Sequence, residues 1–140
     1  MAEGCAFCEI AAGTRPAHVV LDEDEVLAFL DARPVFPGHC LLIPRDHHET
    51  LADLPKELLE PLFGAAQRLQ RALEAGLEAD GTFVAVNNRI SQSVPHMHVH
   101  LVPRRRKDGL RGFFWPRQKY AGDEEMAEVA ARIRAAVQAL

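Results

Sequence analysis

A chain of 140 residues is long enough for one domain with a true core and too short for two comfortable ones. Its 48% apolar and 26% charged residues are ordinary for a globular protein, and a net charge of −4 gives no global reason to expect a nucleic-acid partner. No stretch approaches the roughly 20 apolar residues that span a bilayer, and no basic-then-apolar leader opens the chain, so a cytoplasmic protein without a membrane partner is expected.

Residues 17–21 form a short apolar run ended by the turn signal Asp22-Glu23-Asp24, and residues 25–31 follow as a second strand, giving a hairpin. Pro34 and Pro37-Gly38 break the chain before a third apolar run at 39–43. Over about 55–79, Leu58, Leu59, Leu62, Phe63, Ala66, Leu69, Leu73 and Leu77 recur at three and four, as one buried helix face requires. Asp53 is a candidate cap for that helix, and the interior Pro61 predicts a kink or a short preceding turn. Residues 82–86 read as a strand, 87–95 as a loop, and the segment from His96 onward as the last strand. A final amphipathic helix begins near Asp123, with Met126, Val129, Ala130, Ile133 and Val137 on one stripe. These elements predict a single α+β domain over 1–140, with a cysteine knuckle at 5–8 and a tail plus helix at 104–140.

Seven histidines are present, and three of them alternate in His96-Met97-His98-Val99-His100. In an extended strand those imidazoles share one face while Met97, Val99 and Leu101 point into a core. A surface strand that happens to carry histidine, or a metal site built from all three, are the plainer readings. Asn87-Asn88 and Gln92-Ser93 immediately upstream add amides and a hydroxyl suited to phosphate oxygens and a leaving group, and Gly38-His39 brings a fourth imidazole. A neutral imidazole is a competent nucleophile toward phosphorus, and neighbouring histidines can exchange protons with it near neutral pH. Cys5-Ala6-Phe7-Cys8 is a C-x₂-C knuckle that can hold a metal, or simply two small residues, whereas Cys40 among apolar neighbours reads as a buried side chain. Three cysteines in a reducing compartment are not expected to form a structural disulfide. The basic run at 104–107 reads as a solvated loop, with contact to a small anion as the other reading.

The stretch His96-Met97-His98-Val99-His100-Leu101-Val102 resembles in full the signature of the histidine-triad (HIT) superfamily. The resemblance runs from Cys5 to Pro103 through Phe29-Leu30-Asp31, Pro37-Gly38-His39, Ile43-Pro44-Arg45-Asp46-His47 and Gln92-Ser93-Val94. It implies an antiparallel sheet of about five strands with one long helix and a C-terminal helix, paired into a homodimer through sheet and helix. It implies further that His98 attacks the α-phosphorus of a purine nucleotide, forming a nucleotidyl-histidine that water hydrolyses to the monophosphate. His100 would stabilise the phosphoryl group, Ser93 would assist the leaving group, Gln92 would contact phosphate, and His39 would be the fourth active-site histidine. Asp31 would hold the ribose, with Phe29 and Ala32 beside base and sugar, and Asn87 or else Asn88 on the phosphate side. The substrate would be a phosphoramidate, as in the zinc-containing Hint branch, or a dinucleoside polyphosphate, with no requirement for magnesium. Nucleotidyl transfer to phosphate and non-catalytic nucleotide binding are the alternatives.

That branch also implies a structural Cys₂His₂ zinc site from Cys5, Cys8, His47 and His96, with His48 the less fitting neighbour and His18 a plain surface residue. Two departures touch substrate identity. Ser91 stands where the family has glycine before the glutamine, and Arg89-Ile90 replace small residues. The aromatic tail at 112–117 is also unlike a generic family tail, and is expected to set leaving-group specificity or to seal the dimer. The basic run at 104–107 would favour longer polyphosphates.

Overall fold

The computed structural model describes residues 1–110 and 117–140. Five strands form one sheet, β1 (Val19–Asp22), β2 (Val26–Leu30), β3 (Cys40–Pro44), β4 (Gly81–Val86) and β5 (Val99–Arg104). Their order is β1-β2-β3-β5-β4, and every neighbouring pair is antiparallel. Among the described residues the helices are α1 (Ala6–Ala11), α2 (Lys56–Gly76) and α3 (Asp123–Gln138), with a 3₁₀ turn at Leu51–Asp53. The expected α+β architecture is therefore present. The chain divides into two compact units, Met1–Asp108, which carries the sheet, and Gly109–Leu140, which carries α3. No helix among the described residues is long and apolar enough to cross a membrane.

The inner strands β2 and β3 are buried on both faces, which is why they read as unbroken apolar runs. Val26, Ala28, Cys40, Leu42, Val99 and Leu101 turn toward Leu62, Ala65, Ala66, Leu69 and Leu73 of α2. Their alternates Leu27, Phe29, Leu41 and Ile43 meet Cys5, Phe7 and Cys8 of the N-terminal segment on the other face. That second face is the one the N-terminal knuckle packs against, while α2 covers the other.

Several expectations change. The histidine segment is last in the chain but central in the sheet, and its paired strand begins at Val99, so His96 and His98 precede the ladder. Asp53 does not cap the long helix; it closes a capping box with Thr50 on the 3₁₀ turn, and Pro55 precedes the first residue of α2. Pro61 is the sixth residue of α2, where it removes the interior bond to the Glu57 carbonyl, and the helix nonetheless continues through it. Leu59, Phe63 and Leu77, expected on the buried face, are instead 40%, 37% and 39% exposed, because that face centres on Ala65 and Leu69. Cys40 is buried as expected. Residues 112–116 of the aromatic tail lie outside the described residues, and Arg117 is exposed.

Gly38 turns the chain into β3 at φ +101°, a left-handed value that favours glycine. A Cβ there would lie 2.4 Å from Leu77 Cδ1, the end of a flexible side chain that can move away. Backbone conformation is therefore the larger obstacle. Gly38→Ala should lower the unfolding free energy by about 1–3 kcal/mol in urea titration, and adding Leu77→Ala should recover little of it; full recovery would make the side-chain contact the cause.

Candidate functional site

Backbone groups fix the protonation of each ring in the site, because a carbonyl can only accept and an amide can only donate. His98 Nδ1 lies 2.7 Å from the His96 carbonyl oxygen, so Nδ1 carries the proton and Nε2 keeps its lone pair. His96 Nε2 lies 2.8 Å from the Pro44 carbonyl oxygen, which leaves Nδ1 of that ring unprotonated. The Val35 amide donates to His39 Nδ1 at 3.1 Å, so the neutral His39 ring carries its proton on Nε2. Nε2–H then donates to His100 Nδ1 at 3.0 Å, and the His100 proton is left on its own Nε2. A four-ring set results, with one ring offering a lone pair and its neighbour offering a donor.

His98 and His100 are 4.9 Å apart between ring centroids. Phe7 stands edge-on to His98 at 5.0 Å and to Phe29 at 5.3 Å, walling the nucleophile candidate from below. The adjoining cavity of about 610 Å³ is lined by Phe29, Asp31, Ala32, Ser93, His98 and His100, six of the residues singled out by sequence. Phe7, Ile10, His18, Leu41 and Val94 line it as well. Sequence reasoning did not single these out as lining residues; His18, expected at the surface, is exposed and also borders the cavity. Phe7 had a signal, since it sits between two cysteines that would share a metal with the triad's first histidine. A second cavity of about 610 Å³ lies on the α2 side and is lined by apolar residues with Arg105. It holds none of the candidate residues except the buried Cys40.

Four other candidates do not line the site. His39 stands behind His100. Gln92 braces its own loop, donating to the Glu49 carbonyl at 2.6 Å and accepting from the Arg89 amide at 2.8 Å. Asn88 accepts from the Leu51 amide, while extending the Val86–Val99 register by one residue sets Asn87 opposite His98. Asp31 accepts from the Arg33 amide through Oδ1, and its Oδ2 is 3.7 Å from His39 Nε2. In the basic run, Arg104 pairs with Asp108 and Arg105 donates to the Leu77 carbonyl, and neither lines the histidine cavity. Ser91 adopts φ +60° and Arg89 φ +71°, so the loop holds non-glycine residues in the left-handed region.

Cys5, Cys8, His47 and His96 bring their ligating atoms within 4.8 Å of one another and can hold a metal ion. Cys8 Sγ lies 3.3 Å from His47 Nδ1 and 3.5 Å from His96 Nδ1, and Cys5 Sγ lies 3.5 Å from His96 Nδ1. A tetrahedral zinc with bonds of about 2.3 Å to sulfur and 2.0 Å to nitrogen has an S···N edge of about 3.5 Å. The donor set fits that edge, and the Pro44 carbonyl supplies the outer-shell bond that frees His96 Nδ1 as a ligand. Asp31, His39 and His100 also converge. The proton that Val35 forces onto His39 Nε2 makes that nitrogen a donor rather than a ligand.

The HIT domain model matches residues 12–107. This chain belongs to the HIT family. It is 39% identical over 116 residues to protein hit of Bacillus subtilis, covering 81% of this chain and 80% of the relative. Identity to the adenosine 5'-monophosphoramidase HNT1 of Saccharomyces cerevisiae is 37% over 118 residues, covering 82% and 72%. A crystal structure of a zinc-bound histidine triad family protein from Mycobacterium smegmatis superposes with a TM-score of 0.73 at 34% identity, covering 98% of each chain. Nucleotide hydrolases thus stand among the HIT relatives of this chain.

Burial holds the site histidines in their neutral forms. It pushes His100 down to about 4, helped by repulsion from His98 and His39 and opposed by Asp31. It lowers His39 too, against the pull of Asp31, and lowers His98 against its bond to the His96 carbonyl. An unfolded histidine titrates near 6.5, so between about 6.5 and 4 the unfolded chain binds protons that the folded one refuses. Stability is therefore full above that window and falls as pH drops through it. His100→Asn should take up roughly one proton fewer on unfolding near pH 5; an unchanged slope of unfolding free energy against pH between 6.5 and 4.5 would remove His100 from this account.

Proposed function

We propose that this HIT protein hydrolyses a purine nucleoside 5'-phosphoryl bond through a nucleotidyl-histidine. The observation that carries the reading is the bond from His98 Nδ1–H to the His96 carbonyl, which leaves Nε2 with a lone pair facing the cavity that Asp31 and Ser93 also line. His98 Nε2 attacks the α-phosphorus, the bond to the leaving group breaks, and the Ser93 hydroxyl supplies a hydrogen bond to the departing atom. His100 Nε2–H donates to a phosphoryl oxygen where charge builds, and His39 keeps that donor in place by donating to Nδ1 behind it. Water then displaces the histidine, releasing the nucleoside monophosphate and restoring the neutral ring. Asp31 Oδ2 accepts from ribose hydroxyls, with Phe29 and Ala32 beside the sugar and base, and Asn87 faces the phosphate. Gln92 acts through the loop it braces. Imidazoles and amides meet the phosphate charge, so no step calls for magnesium. A homodimer fits the edge position of β4 and the exposure of Val84, Leu59 and Phe63.

Zinc is the ion we assign to Cys5, Cys8, His47 and His96, on the fit of the donor edges. A closed four-ligand zinc of this kind is structural, tying the N-terminal knuckle to the triad. Cys8→Ser should reduce bound zinc from about one equivalent per chain and lower the melting temperature with it. Zinc below about a tenth of an equivalent in carefully prepared wild type would remove the assignment.

Release of AMP from adenosine 5'-phosphoramidate and from diadenosine tetraphosphate tests the reaction. His98→Ala should lower turnover by at least about 10³-fold while AMP binding persists. A wild type that binds AMP and cleaves neither compound would make the site a nucleotide-binding pocket. Nucleoside diphosphate formed in the presence of phosphate would make the enzyme a transferase.

A further inference from the structure

Two polar side chains of the histidine cavity have no part in the proposed reaction, Arg15 and His18. Their places along the cavity follow from α1. Phe7 stands against His98, and Ile10, one helical turn or about 5 Å further on, lines the same cavity. The Thr14 and Arg15 amides both return to the Glu9 carbonyl, at 2.9 and 3.3 Å, which fixes Arg15 by the half of α1 away from Phe7. His18 accepts through its carbonyl from the amide of Leu30, the residue before Asp31. A nucleotide with its phosphate at His98 and its ribose at Asp31 therefore carries its base toward Arg15. His18, nearer the ribose, meets every nucleotide alike and cannot select a base.

The Arg15 guanidinium is fixed as well. Its Nε and Nη2 both donate to Glu9 Oε2, at 3.0 and 2.8 Å. That engages one edge of the planar group. The second edge, formed by Nη1–H and the outer Nη2–H, has no acceptor among the described residues. Two parallel donors in one plane match two acceptors side by side. Guanine offers that pair as O6 and N7, whereas adenine sets a 6-amino donor beside N7, so one N–H of the fork would face another donor. A site whose donors are left unpaired by the wrong ligand discriminates far better than one that merely fits its shape.

We propose that Arg15, held by Glu9, selects guanine, so that the compound cleaved at His98 is a guanosine 5'-phosphoryl compound. This deepens the nucleotide reading of the cavity and rests on it, but on no step of the reaction. The test is titration of the full chain with GMP, inosine 5'-monophosphate and AMP, because hypoxanthine keeps O6 and N7 and lacks the 2-amino group. GMP and inosine monophosphate should bind alike, each at least about tenfold more tightly than AMP. Arg15→Met removes the donors, and Arg15→Lys keeps the charge but loses the fork; both should bring the three nucleotides within about threefold of one another. The Arg15 side chain is 51% exposed, so neither change disturbs the core. The ratio of kcat/KM for guanosine over adenosine 5'-phosphoramidate should follow the binding order. Equal affinity of the wild type for GMP and AMP overturns the proposal. So does inosine monophosphate binding like AMP, or a preference that survives either substitution. A GMP preference without cleavage of either phosphoramidate leaves the base assignment standing and removes the hydrolase, and binding of none of the three nucleotides removes both.

Discussion

One hydrogen bond, from His98 Nδ1 to the carbonyl oxygen of His96, decides what the rest of the site can do. A free histidine exchanges its proton between two nitrogens and turns about two torsions, so most of its conformations present nothing useful to a phosphorus atom. Here a backbone oxygen that can only accept selects one tautomer and one orientation together. The same residue that owns the carbonyl also places its ring among Cys5, Cys8 and His47. Anything that shifts the His96 ring therefore shifts the oxygen that aims His98. A four-ligand knuckle at the N-terminus and a reactive nitrogen in the cavity are in this way one mechanical unit.

Much of this was legible in the chain, for a definite reason. Alternation of histidine with Met97, Val99 and Leu101 has a single physical solution in a two-faced sheet, so the shared face of the rings followed directly, and the structure places the apolar set in the core. The C-x₂-C spacing likewise announced a possible metal site. What the pattern left out is what depends on backbone atoms: the Val35 amide behind His39, the Pro44 carbonyl behind His96, and the reach of Gln92 to Glu49. Main-chain donors and acceptors are the same at every position, so no residue type marks where one will matter. The same blindness explains Asp53, whose type suited a helix cap while the local turn used it one element earlier.

The loop between β4 and the triad shows a different trade. Gln92 ties the loop internally to Arg89 and outward to the Glu49 carbonyl, and Asn88 holds the 3₁₀ turn across from it. Ser91 nonetheless takes φ +60° where a glycine would sit without strain. A side chain in that region costs on the order of 1 kcal/mol, and it makes the loop stiffer than a glycine would. A stiffer loop keeps Ser93 at the cavity wall with less freedom to move.

Each face of the sheet also sets how far a change can travel. On the α2 side Leu42, Leu62, Met97 and Leu101 are fully buried, and a well-packed apolar face yields little to changes in bound ligand. The opposite side is thin: one short helix and its N-cap carry Phe7 against His98 and both cysteines toward His47 and His96. Rigidity on that side cannot come from a deep core, since only Leu27, Phe29, Leu41 and Ile43 of the sheet are available to it. Four donors that can hold a metal ion lie on this thin side, where directional bonds could replace many weak contacts. The knuckle thus packs on the same face as His98, while the opposite face is held by the apolar α2 core.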